Sequence, residues 1–78
     1  MEKNRLYWAS RRGMLELDLV LEPFLDQHFD ALHPDDQLLY VKLLDEQDPD
    51  LFQWLVNASE PDEPGLRRIV SLIREKTL

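Results

Sequence analysis

MLELDLVLEPFLDQH, residues 14–28, is the stretch whose conformation decides the fold. It carries two periodicities. Leu15, Leu17, Leu19 and Leu21 alternate at a spacing of two, the pattern of a half-buried strand. Met14, Leu17, Leu21, Phe24 and Leu25 also fall on one stripe of a helix, at i, i+3 and i+4 spacing. Two facts favour the helix. The chain has no second alternating segment, so a strand here would leave its backbone groups unpaired. Leucine and glutamate are also better helix formers than strand formers. The sequence therefore predicts a helix from about Met14 to about His28. A bend is expected near Pro23, which has no N–H and crowds the carbonyl of Leu19.

The flanks read the same way. Residues 2–11 form a helix that turns Leu6, Tyr7 and Trp8 toward a core, and Gly13 stands where a helix C-terminus favours glycine. HPDD, residues 33–36, is a helix start. Pro34 suits the first turn, and Asp35 and Asp36 suit the positive end of the helix dipole. The helix that follows, at 35–46, places Leu39, Tyr40, Leu43 and Leu44 on one side. In DPDLFQWLVN, Asp48 can cap and Pro49 can begin a short helix bearing Leu51, Phe52, Trp54 and Leu55. SEPDEPG is a loop, and Pro64 opens a last helix carrying Leu66, Ile69, Val70, Leu72 and Ile73. Four or five short helices with short connections describe an all-α bundle, expected to be a single domain over residues 1–78.

Composition narrows the function classes. The formal charge is −7, from 16 acids and 9 bases, and between Gly13 and Glu63 the only base is Lys42. Such a field opposes binding of an anionic polymer, so no nucleic-acid partner is expected. A small acidic protein more often docks on a basic protein surface. There is no cysteine, which excludes disulfides and thiolate zinc sites. No run reaches the roughly 18 apolar residues of a spanning helix. The N-terminal MEKNRLYWAS lacks an apolar signal core. A cytoplasmic protein without membrane insertion is expected.

Catalytic and metal chemistry find little footing. His28 and His33 are five positions apart and share no helix face. The two glycines, Gly13 and Gly65, form no phosphate loop. Ser10, Ser59 and Ser71 stand near no recognisable base, and Glu16 and Asp18 read as solvated helix charges. Nothing assembles a nucleophile, a base and an oxyanion site, so the chain is not expected to be an enzyme. Of Tyr7, Trp8, Phe24, Phe29, Tyr40, Phe52 and Trp54, most belong in the core and one or two can face a partner.

RRGMLELD, residues 11–18, has two readings. In one, Gly13 closes a helix, Arg11 and Arg12 favour its negative end, and Glu16 starts the next helix. In the other, the group is a docking site. Gly13 lets another backbone approach, Arg12 offers a planar fork, and Glu16 offers an acceptor on the same surface.

The run Arg12-Gly13-Met14-Leu15-Glu16-Leu17-Asp18 resembles the Arg-Gly-x-x-Glu signature of the FAD assembly factors of succinate dehydrogenase. Trp8-Ala9-Ser10-Arg11 resembles the family's lead-in to that signature. Leu21-Glu22-Pro23-Phe24-Leu25 and Asp48-Pro49-Asp50-Leu51-Phe52-Gln53-Trp54-Leu55 are similar to two further family segments, in the same order. The resemblance implies a five-helix bundle that binds the flavoprotein subunit of succinate dehydrogenase, and in bacteria also that of fumarate reductase. It implies promotion of covalent FAD attachment to a histidine of that client, in a step the client itself carries out. No cofactor would be held stably by the assembly factor, which would be a monomer when free. The implied partner-binding residues are Arg12, Gly13 and Glu16, with Arg11 and Asp18 as accessories. Asp48 and Asp50 join that set, although capping explains them equally well. The runner-up is the antitoxin half of a toxin–antitoxin pair.

Overall fold

The computed structural model describes residues 3–77. Among these are five helices and no strand: α1 (Lys3–Ser10), α2 (Leu15–Gln27), α3 (Pro34–Leu43), α4 (Asp48–Leu55) and α5 (Pro64–Thr77). A 3-10 turn, Phe29–Ala31, joins α2 to α3. Glu2, where the sequence predicts the first helix to begin, lies outside the described residues.

Exposure resolves the ambiguity of residues 14–28 in favour of the helix. A strand would put Leu15, Leu17, Leu19 and Leu21 on one face. Instead Leu17 and Leu21 are fully buried, whereas Leu15 and Leu19 are 67% and 64% exposed. Val20, Phe24 and Leu25 complete the buried stripe, at the i+3 and i+4 steps of a helix. The helix runs through Pro23.

α2 is the common neighbour in the fold. It packs against α1, α4, α5 and the 3-10 turn, while α3 and α4 each pack against α5. The buried side chains form one cluster that draws Leu6 from α1, Tyr40 and Leu43 from α3, Leu51 and Leu55 from α4, and Leu66, Ile69, Val70 and Ile73 from α5.

Four local expectations are corrected. In α1 Leu6 and Ser10 are buried and Ala9 packs partly buried against the core; Tyr7 and Trp8 lie on the outside, Trp8 being 62% exposed. Each residue advances about 100° around a helix, so burying Leu6 and Ser10, four apart, turns the two aromatics away. α1 ends at Ser10, so Gly13 is not its immediate terminal residue but lies in the connection to α2. α3 stops at Leu43 instead of residue 46; Asp45 and Glu46 donate to Lys42 and Leu43, tightening the chain into a turn. Asp48 does not cap α4. Gln47 flanks that helix, and Asp48 sits in its first turn.

Two polar pairs link the helices, one inside the apolar packing and one at its edge. The Ser10 hydroxyl donates to the Leu6 carbonyl at 2.7 Å, and the Tyr40 hydroxyl lies 2.7 Å from Ser10 Oγ, tying α3 to the end of α1. Tyr40 is fully buried, with Phe24 stacked on it at 5.6 Å and Phe29 edge-on at 5.4 Å. Burial pushes its hydroxyl up to about 12, with the Ser10 hydrogen bond acting the other way. The second pair is Asp36 with Arg68, joined bidentately at 2.7 and 3.0 Å, which fastens the start of α3 to α5. The Arg68 hydrogen bond holds the Asp36 carboxyl below its ordinary value. The start signal in HPDD is fulfilled, and His33 adds to it by accepting the Asp35 N–H through Nδ1 at 3.1 Å.

These pairs set opposite pH edges. Tyr40 stays protonated longer in the folded chain than in the unfolded one. Its contribution is therefore complete below pH 10 and falls between pH 10 and about 12. Urea melts across that window should show the wild type losing on the order of 2–3 kcal/mol relative to Tyr40→Phe. Asp36 acts in reverse: its contribution is present above about pH 3.8 and fades as pH falls through the lower folded value. Asp36→Asn should be less stable than wild type at pH 7, and acid titration of both should close that gap below pH 3.8.

Candidate functional site

The turn between α1 and α2, residues 11–14, is held from both sides. Arg11 N–H donates to the Trp8 carbonyl at 3.2 Å, finishing α1. Arg12 N–H donates to Asp18 Oδ1 at 2.8 Å, and Asp18 N–H donates to the Met14 carbonyl at 3.0 Å. Asp18 thus closes the turn while sitting, with Glu16, in the first turn of α2, where acids suit the helix dipole.

Gly13 between these anchors has φ of +74°, the left-handed region in which a side chain is strained. A Cβ built there meets no heavy atom within 4 Å. Its requirement for glycine therefore comes from the backbone, and the space above it is open. Glu16 is exposed next to it and forms no ion pair among the described residues.

The two arginines differ. Arg11 lies outside, its guanidinium 5.9 Å from the Trp8 ring and its Nε 3.3 Å from Glu22 Oε1. Arg12 turns inward, with a side chain only 18% exposed. Its Nη2 donates to the Leu44 carbonyl at the end of α3. Its Nε is buried without a hydrogen-bond acceptor and lies 3.6 Å from Asp48 Oδ1 in the first turn of α4. The fork that the sequence offers to a partner is largely engaged within the fold.

The structure therefore brings Arg11, Arg12, Gly13, Glu16, Asp18 and Asp48 together around one turn. Asp50 is exposed in the first turn of α4 and makes no side-chain contact with that turn. Sequence reasoning missed Leu44, which contributes only a carbonyl and so leaves no side-chain signal. It also missed the apolar surround of exposed Trp8, Leu15 and Leu19. The leucines were findable, since both fall off the buried stripe of α2. Between α1 and α2 a groove of about 700 Å³ is lined by Tyr7, Leu19, Glu22, Pro23 and Asp26, among others.

A left-handed glycine with open space above it, a carboxylate with no ion pair among the described residues and exposed apolar side chains thus stand together on a tied-down turn. The flavinator of succinate dehydrogenase family matches residues 4–77. The chain belongs to that family. It is 46% identical over 74 residues to the FAD assembly factor SdhE of Pectobacterium atrosepticum, covering 95% of this chain and 84% of that protein. It is 47% identical over 74 residues to the SdhE of a Serratia species, with the same coverage, and 45% identical over 75 residues to that of Pseudomonas aeruginosa, covering 96% and 89%. These relatives are named as assembly factors, in agreement with a role other than catalysis. No described helix is long and apolar enough to cross a membrane.

The tie made by Asp18 has a measurable weight. Asp18→Ala removes the acceptor of the Arg12 N–H and should lower stability by about 1–2 kcal/mol in urea denaturation. Faster hydrogen exchange of the Arg12 amide should accompany it.

Proposed function

We propose that this chain binds the flavoprotein subunit of succinate dehydrogenase and promotes the covalent attachment of FAD to it. The observation that carries the reading is the family match across residues 4–77, joined to an exposed Gly13 and Glu16 in the family's signature. The flavoprotein subunit of fumarate reductase is a second client of the same type. FAD stays with the client, and the chain works as a monomer in the cytoplasm, without nucleic acid and without entering a membrane.

The physical role is conformational. A protein that binds one client conformation better than another shifts the client toward it by no more than the difference in affinity. A difference of about 3 kcal/mol moves that equilibrium about a hundredfold. No catalytic group in the assembly factor is needed for this. In this reading Gly13 is the point of closest backbone approach and Glu16 the polar anchor beside it. Exposed Trp8 and Leu15 supply apolar contact, and Arg11 and Asp50 lie at the rim.

The test uses Gly13→Arg and Glu16→Ala. Both should keep the helical circular dichroism of the wild type. Both should leave the client subunit without covalent flavin, seen as loss of in-gel flavin fluorescence in cells that depend on the variant. The succinate dehydrogenase and fumarate reductase subunits are read in parallel. Full flavinylation of both clients by both variants would remove this surface from the reading.

A further inference from the structure

Arg12 and Asp48 come from two segments 36 positions apart, and the fold joins them. The backbone N–H of Arg12 is held by Asp18 in α2, while its guanidinium reaches the Leu44 carbonyl and the Asp48 carboxylate. One residue therefore links the turn that carries Gly13 to the end of α3 and the start of α4. The last carbonyls of a helix lack partners within the helix, so a donor at Leu44 fills a natural vacancy. Nη2 and the Nε edge of the guanidinium are turned to these contacts inside the fold, and the side chain is only 18% exposed. Its buried Nε has no hydrogen-bond acceptor, and Asp48, at 3.6 Å, is its ion-pair partner among the described residues.

We infer that Arg12 is a positioning residue, which fixes the turn bearing Gly13 and Glu16 by bracing it against α3 and α4, and that Asp48 serves the same brace. The inference rests on the client-binding reading above, and it assigns different work to residues within one signature. Gly13 and Glu16 meet the client; Arg12 and Asp48 hold them in place. Asp50, two residues beyond Asp48 and exposed, is outside the brace. Asp48 does not cap α4 because it already lies in the first turn, where the Gln47 carbonyl accepts the Leu51 N–H; its carboxylate faces Arg12 instead.

The experiment is a double-mutant cycle with Arg12→Lys, which gives up the guanidinium contacts to both the Leu44 carbonyl and Asp48, and Asp48→Asn, which removes only the Asp48 charge; neither deletes a buried side chain. Asp48→Glu, which keeps a carboxylate within reach, is the conservative control. Two quantities are read for each protein. One is the affinity for the purified flavoprotein subunit of succinate dehydrogenase lacking covalent flavin. The other is the amide resonance of Gly13 in the free protein, with the thermal melt recorded alongside. Each single variant should shift the Gly13 resonance and weaken binding about tenfold, and the double variant should bind no worse than the weaker single. Asp48→Glu should retain the wild-type resonance and affinity. Additive losses would overturn the inference, as would weakened binding with an unmoved Gly13 resonance, because Arg12 would then touch the client itself. If Glu16→Ala binds the subunit as wild type does, the client-binding surface is misassigned; the Gly13 resonance still decides whether the brace exists.

Discussion

Everything in this fold leans on the stripe of α2 formed by Leu17, Val20, Leu21, Phe24 and Leu25. Three of the other four helices, and the 3-10 turn, pack against that helix. In so short a chain the buried area is small, and a single well-filled stripe must serve several neighbours at once. Removing any of these side chains would open a cavity bordered by more than one helix, where collapse from one side cannot fill it. The same stripe sets the orientation of the outer face of α2. Burying Leu17 and Leu21 leaves Leu15, Glu16 and Leu19 outward, so the core residues decide which residues the partner surface contains.

Much of this was legible in the sequence because it depends on local periodicity. The helical positions of Leu17, Leu21, Phe24 and Leu25, the start at Pro34 and the start at Pro64 follow from side-chain spacing and from the chemistry of proline, whereas Met14 is extended and α2 begins at Leu15. What was not legible depends on contacts between distant segments. Tyr7 and Trp8 look like core residues from hydropathy alone. They are outside because α1 turns Leu6 and Ser10, with Ala9 beside them, toward the core. Asp48 resembles a cap by type and place, but the helix begins at Asp48 itself, and its carboxylate pairs with Arg12 from 36 positions earlier. Asp36 reads as a dipole charge, and only the folded chain shows it paired with Arg68. The site was half visible. Gly13 and Glu16 could be picked out as surface groups, whereas the direction in which Arg12 turns is set by Leu44 and α4.

Charge shows the same division of labour. Of nine bases, Arg68 is paired with Asp36, Arg12 with Asp48, and Arg11 with Glu22. These pairs join separate elements. They are more useful for fixing geometry than for adding net stability, since exposed ion pairs contribute little and buried ones must overcome desolvation. Taking bases into the framework also leaves the remaining carboxylates, Glu16 among them, less opposed at the surface. In the proposed reading, such a surface discriminates among partners by the sign of their charge.

In the proposed role, preorganisation of the α1–α2 turn is what lets so small a module act on its client. Association must overcome the ordering of side chains and loops at the contact, and a segment that is already ordered loses less on binding. The α1–α2 turn meets that condition. Gly13 occupies a left-handed conformation that is accessible at little steric expense only to glycine. Asp18 secures the turn through the backbone of Arg12, and the side chain of Arg12 secures it against two further helices. A turn fixed in this way can favour one client conformation over another, because a rigid surface fits only the arrangement that matches it. A flexible turn would adapt to both arrangements and shift neither. On this reasoning the value of the bundle lies less in any one contact group than in holding a short exposed segment in a single shape.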